Sequence, residues 1–264
     1  MFLNTTSSAP GYWGEITSSV DWCEPNYVHS PYVAETLNTL SSLAMVIIGE
    51  MGARINHSTH WKQKFSFHMI TIIGIGSILF HMSLKYYTQM LDELPMLWTS
   101  ALMFNLTLDT RLQNCPSWVS LLIFFYSLSA TVITAVFQGE LQANLFRLCF
   151  VITTYISIFM GFQHYLKNER QSNAGKLFKR GFLFYFIASC VWIIDTKACN
   201  WYIQNLGYPA FHALWHVFVS LGIYHLIIYS NYLHQNRFKF IPSKIVFYYG
   251  LPFLVKSSKE ELKI

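Results

Sequence analysis

Charge is scarce in this chain. Asp, Glu, Lys and Arg make up 12% of its 264 residues, against ~25% in an ordinary soluble domain. So few charges cannot coat a water-facing surface, and hydrophobic residues reach 53% with a mean hydropathy of +0.33. Cysteine is also sparse, five in all with no CxxC, which excludes a disulfide scaffold. The composition excludes disordered and collagen-like chains too. Residues 1–32 hold no Lys or Arg and no apolar run of the signal-peptide kind, so the first hydrophobic helix is expected to direct its own insertion. No internal repeat and no domain-separating linker is visible. What remains is a polytopic all-α membrane protein.

A helix of ~20 residues crosses ~30 Å of hydrocarbon, and seven stretches of that scale are present: 33–51, 65–84, 87–108, 118–136, 141–166, 177–199 and 211–233. The first is the weakest, because it carries Glu35, Asn38 and Glu50. With Lys179, Arg180 and Lys197, at the two ends of the sixth stretch, assigned to the segments they adjoin, fifteen of the eighteen Lys and Arg fall in the even-numbered connecting segments, and only Lys85 and Lys197 in the odd ones; Arg147 lies inside the fifth helix. Cationic residues collect on the cytoplasmic side. The expectation is therefore a seven-transmembrane bundle with its N-terminus lumenal or outside and its C-terminus cytosolic. It divides into a lumenal segment over 1–32, a catalytic bundle over 33–233 and a basic cytosolic tail over 234–264. The net charge of +5 is then a membrane-facing charge matched to anionic headgroups. It gives no reason to expect nucleic acid, and no protein partner is evident.

Ionisable groups inside membrane helices are costly and suggest function. On this topology His81, His212 and His216 all fall within about 8 Å of the lumenal boundary, at 1.5 Å of rise per residue. His212 and His216, in FHALWH, share one helix face at i, i+4. With His81 they form a three-histidine set that leaves a fourth zinc position for water. Taken alone, such a pair is more often a polar helix end than a metal site, and no HExxH pattern is present. Two further groups stand at the same depth. Asp92, in QMLDELPM, enters the third helix there, and Ser77 lies four residues before His81. A solvated helix start for Asp92 and Glu93 and small-residue packing for Ser77 are the plain alternatives; the shared depth favours the site. Asp195 is a looser candidate, as a supporting or structural partner.

The N-terminal stretch DWCEPNYVHSPYVAE crowds oxygen donors from Asp21, Glu24, Asn26 and Glu35. Such a set suits Ca²⁺, with a backbone carbonyl such as that of Trp22 filling a vacancy, although by spacing alone a solvated acidic segment is the better reading. Cys23 and Cys199 are the two cysteines at the lumenal face, where oxidation is permitted, and could tie the segment to the sixth helix.

The segments GYWGEITSSVDWCEPNY, SPYVAETLNTLS, GIGSILFHMSLKY, QMLDELPM and FHALWHVFVSLGIY together resemble the alkaline ceramidase family of seven-helix membrane amidases. The match is close in the N-terminal third and the seventh helix, and only in character over helices four to six. The resemblance implies hydrolysis of a ceramide-type lipid to sphingosine and a fatty acid, in endoplasmic reticulum or Golgi membranes. It implies zinc held by His81, His212 and His216, with Ser77 and Asp92 beside it. It also implies Ca²⁺ bound by Asp21, Trp22, Glu24, Asn26 and Glu35, and a Cys23–Cys199 disulfide. Pro25 departs from the pattern, standing where many relatives carry an acid. The expected chemistry has Asp92 as general base and then acid, Ser77 as oxyanion donor, and an aromatic- and Met-lined pocket for the lipid. A retinal-type receptor is excluded by the absence of Lys from the seventh helix. A transporter is disfavoured by the absence of inverted repeats, and a lipid receptor has no use for an acid and a hydroxyl at the histidines.

Overall fold

The computed structural model describes residues 11–56, 61–112, 115–208, 210–238 and 243–257. Asn4-Thr5-Thr6, a sequence that fits an N-glycosylation site, His57 and His60, and the basic residues Lys239, Lys259 and Lys263 lie outside the described residues. Among the described residues there are seven α-helices: α1 Thr36–Ile55, α2 Trp61–Ser83, α3 Tyr86–Leu112, α4 Ser117–Val136, α5 Gly139–His164, α6 Asn173–Leu206 and α7 Phe211–Phe238. A π-helical turn, Tyr165–Glu169, continues α5. The helices match the expected stretches to within a few residues, apart from longer ends on α6 and α7.

Five helices (α2, α4, α5 with its continuation, α6 and α7) are long and apolar enough to cross a membrane. The other two, α1 and α3, fall short because they carry polar groups turned into the bundle: Asn38 and Ser42 on α1, and Gln89, Asp92, Glu93 and Asn105 on α3, are all buried. On α4 the reverse holds. Only Ala130 and Thr134 are buried, while Leu121, Leu122, Phe124 and Phe125 are exposed. An apolar face with no protein partner suits hydrocarbon.

The strongest packing joins α6 to α7 and α1 to α2; α2 packs on α3, α3 on α5, and α1 closes on α7. The α5–α6 seam is the slightest of the neighbouring pairs, so the ring is nearly open there. Where helices touch, small residues bring backbones together. A Cβ on Gly49 of α1 would fall 2.6 Å from the Thr71 backbone nitrogen of α2. At the end of α2, Leu84 takes the left-handed conformation (φ 51°) while fully buried, a strain of ~1–2 kcal/mol for a residue with a Cβ. Its carbonyl accepts the amides of Thr17 and Ser18 at 3.2 and 3.1 Å, which pins the N-terminal segment over the end of α2.

The tail is not only a basic extension. Ser243–Tyr248 (β1) and Leu251–Lys256 (β2) pair as an antiparallel hairpin, turning through Tyr249 and Gly250, both at positive φ, as a two-residue hairpin turn requires. Leu254 is fully buried among residues of the main core, which includes Met45, Phe67, Tyr224 and Ile227.

Candidate active site

Two helices bring the three histidines together. α2 carries His81 near its C-terminal end, and α7 begins at Phe211, so His212 and His216 occupy its first two turns. Their ring centroids lie 5.1, 5.0 and 4.7 Å apart, one ligand atom from each falls within 4.8 Å of the others, and all three are buried. Among the described residues this is the group of His, Cys, Asp and Glu that gathers tightly enough to hold a metal ion.

Hydrogen bonds assign the tautomers. His81 Nδ1 is paired with Glu35 Oε2, so the lone pair is on Nε2, which is buried with no partner. Ser41 Oγ donates to the Asn38 carbonyl at 3.0 Å and receives His216 Nδ1 at 2.7 Å, which leaves the His216 lone pair on Nε2. Nδ1 of His212 is also buried and unpartnered, and the ring is clamped by Trp22, stacked at 3.6 Å, and by Trp215 at 5.2 Å. Buried polar atoms are nearly always satisfied. Orphaned imidazole nitrogens on two of three converging histidines therefore fit a metal such as Zn²⁺, whose ligand is the neutral ring.

Ser77, on α2 one turn before His81, lies 3.4 Å from His216 Nε2 and 3.0 Å from Ser42 Oγ, and neighbours Asp92. Asp92 reaches it because α3 comes very close to α2: a Cβ on Gly76 would sit 2.2 Å from the Leu91 carbonyl oxygen and 2.9 Å from the Asp92 nitrogen. Asp92 is buried rather than at a solvated helix start. So is Glu93, whose two oxygens accept the amides of Gln89 at 2.9 Å and of Gln142 on α5 at 2.6 Å.

A cavity of about 690 Å³ adjoins the site; Asp92, His212, Phe80, Met96 and Trp215 line it on one side and Phe150, Tyr155 and Trp192 on the other. It lies along the loose α5–α6 seam. A second cavity of about 330 Å³ shares Met96, Phe150, Tyr185 and Trp215 with it and runs to Arg111 and Lys167 at the opposite end of the bundle.

The acidic segment folds over the same end. Glu24 is buried, and its oxygens accept the amides of Leu37 and Asn38 at 2.7 and 2.9 Å, capping α1. Glu35 Oε1 accepts the Trp22 amide at 3.1 Å, and Asp21 accepts Asn26 Nδ2 at 3.0 Å. Burial pushes the Glu24 carboxyl up to about 7, against the pull of its two backbone amides, and raises Asp21 likewise. The acids do not gather as tightly as the histidines, yet Asn26 Oδ1 and Asn38 Oδ1 are buried without donors. Acids short of charge compensation beside orphaned carbonyl oxygens fit a hard cation such as Ca²⁺. The solvated-segment alternative fails for Glu24, Asn26 and Glu35, which are buried; Asp21 is half-buried. Cys23 and Cys199 form a disulfide, Cα–Cα 5.8 Å.

Asp195 holds more than the sequence suggested. One oxygen accepts Tyr202 Oη at 2.9 Å and the His212 amide at 3.2 Å, and the other is buried without a partner. It thus ties α6 to the start of α7. Ser41 and Ser42 were also missed, although Asn38, Ser41 and Ser42 form a polar i, i+3, i+4 stripe on α1.

The fold and site define a class: an apolar helical bundle with a buried three-histidine cluster, an acid and a hydroxyl beside it, and a lipid-sized cavity at its side. Comparison with known proteins gives that class a family. A family model described as Ceramidase matches residues 14–255. The chain is 31% identical over 263 residues to mouse alkaline ceramidase 3, covering 91% of this chain and 92% of that protein. It is 27% identical over 256 residues to alkaline ceramidase YPC1 of Saccharomyces cerevisiae, covering 86% and 80%. It is 28% identical over 215 residues to the alkaline ceramidase of Arabidopsis thaliana, covering 81% and 82%. The chain belongs to the ceramidase family.

Proposed function

We propose that this protein is a membrane-embedded zinc amidase that cleaves ceramide-type lipids to a sphingoid base and a fatty acid. The observation that carries the reading is the pair of orphaned nitrogens, on His81 and His212, in a buried triad beside Asp92, Ser77 and the large cavity. His81, His212 and His216 hold the metal. Zinc bound there supplies a Lewis acid for the scissile carbonyl and lowers the pKa of water towards ~7.

The chain's own groups do the rest. Asp92 takes a proton from the attacking water as its oxygen adds to the carbonyl carbon. It returns that proton to the nitrogen as the C–N bond breaks. The Ser77 hydroxyl, a rotor between Ser42 and His216, turns to donate to the developing oxyanion. Water exclusion by Trp22, Trp215 and Phe80 keeps these interactions strong. The lipid enters sideways at the α5–α6 seam, and its chains lie in the two joined cavities.

All seven helices span the membrane in this reading, with the N-terminus lumenal and the C-terminus cytosolic. The disulfide suits a lumenal, oxidising side, in the endoplasmic reticulum or Golgi. Asp21, Glu24, Asn26 and Glu35, with the Trp22 carbonyl, hold a Ca²⁺ ion that stabilises the lumenal cap. The test is mass-spectrometric assay of the purified protein on a ceramide panel, with chelator and with zinc restored. Release of sphingoid base that stops on chelation and returns with zinc is expected; turnover indifferent to metal removal refutes the mechanism.

A further inference from the structure

Arg147 has no part in the chemistry above. It lies inside α5, where an ionisable group is expensive and by default marks function. Its Nε donates to the Ala143 carbonyl at 2.9 Å, so the side chain runs back towards the start of α5. The Gln142–Glu93 hydrogen bond, 2.6 Å, sets the register of α5 on α3, and the residue after Gln142 is the one Arg147 leans on. The guanidinium thus comes to about the level of Glu93 and Asp92. Arg147 lines the 690 Å³ cavity together with Asp92 and His212. Its charge reaches Glu93, but both Glu93 oxygens are taken by glutamines, and among the described residues no carboxylate lies within ion-pair distance of Arg147.

We infer that Arg147 is the anion acceptor of this cavity, taking the carboxylate of a long-chain fatty acid whose chain lies along the apolar wall. A guanidinium fork matches a carboxylate with two parallel N–H···O bonds. Phe150, one turn further along α5, and Met96 continue the wall into the second cavity, so an acyl chain anchored at Arg147 has an apolar path away from it. The identity of the acid rests on the amidase reading, since hydrolysis creates this carboxylate in this cavity. The bound acid is then a product that competes with substrate until it leaves.

The test measures binding of oleate and oleyl alcohol to the purified protein, alongside Arg147→Gln and Arg147→Lys. Wild type should prefer the acid by about tenfold, the scale of one charge-assisted contact. Arg147→Gln should lose the preference, and Arg147→Lys, which keeps the charge without the fork, should keep part of it. An undiminished preference in Arg147→Gln overturns the proposal. A fatty acid with a diazirine beside its carboxyl gives a readout on wild type, independent of whether the variants fold. Labelling of α5 around Arg147 is expected. Labelling confined to the Arg111–Lys167 end, or to the lumenal surface as for an arginine that merely snorkels, overturns the proposal. Ceramide hydrolysis is assayed on the same preparation. A protein that binds oleate at Arg147 without cleaving ceramide refutes the amidase reading and leaves this site standing; the converse refutes only the site.

Discussion

Glu35 and His81 are hydrogen-bonded through Oε2 and Nδ1 with both side chains fully buried. The other Glu35 oxygen holds the Trp22 amide, and Trp22 stacks on His212. One carboxylate, just before α1, therefore orients a histidine of the triad directly and braces a second through an indole. Carboxylate partners of this kind fix the tautomer and ring angle of a metal-binding histidine.

Glu24 and Glu35 should separate in consequence. Glu35→Ala is expected to weaken zinc binding by ~10–100-fold, the usual effect of losing such a partner, and to lower activity at limiting zinc. Glu24→Ala removes the cap on α1 and should cost ~1–2 kcal/mol of stability while the purified protein keeps its zinc. Zinc content by mass spectrometry beside thermal melting decides it; equal zinc loss in both variants would contradict the separate roles.

Gly76→Ala tests the α2–α3 approach. The added methyl would meet backbone atoms of Leu91 and Asp92, so α3 must move rather than a side chain. A displacement of ~1 Å at a reacting group is enough to lower turnover by ~10²-fold. The histidines are on α2 and α7, so zinc should stay bound. Full turnover in Gly76→Ala would show that Asp92 need not stand where it does.

Much of this was legible because depth along a membrane helix is linear in residue number. His81, His212 and His216 could be set at one level before any contact was known, and Asp92 and Ser77 with them. Contacts made by elements remote in sequence were not legible. Glu93 reads as a helix start until Gln142, on α5, is placed against it. Glu35 reads as a calcium ligand alone until the N-terminal segment folds over the end of α2. The hairpin escaped because its turn is Tyr249–Gly250 rather than the usual Asn-Gly, within a tail whose charge dominated the reading.

The Cys23–Cys199 bridge closes a loop across a sequence separation of 176 residues, for which chain entropy gives at most about 5 kcal/mol. Helices that stay inserted when the protein unfolds reduce that figure. Cys23→Ser should therefore lower the melting temperature by several degrees. The Leu84 carbonyl still holds the Thr17 and Ser18 amides, and Glu35 the Trp22 amide, so the segment should loosen rather than detach, and activity should fall in step as Trp22 leaves His212. An unchanged melting curve, with and without reductant, would count against the bridge as a clamp.

Asn56 opens an Asn-His-Ser sequon, yet its side chain is committed elsewhere. Nδ2, the atom a glycan would occupy, donates to the Gly52 carbonyl at 3.1 Å and to Tyr224 Oη at 3.4 Å. Oδ1 accepts the Leu254 amide at 2.8 Å, and Tyr224 Oη in turn donates to the Pro252 carbonyl at 2.8 Å. Asn56 is thus the latch between the end of α1 and β2, and it is buried. Peptide mapping should find Asn56 unmodified in protein from a glycosylating host, as the proposed cytosolic placement of this end also requires. Asn56→Ala leaves the buried Leu254 amide without an acceptor, at ~1–3 kcal/mol. Hydrogen exchange over residues 243–256 should then accelerate while that of α2 does not. Asn56→Asp, which keeps the accepting oxygen, should restore part of the protection. A glycan at Asn56 would overturn both the latch and the orientation, and unaltered exchange in Asn56→Ala would overturn the latch alone.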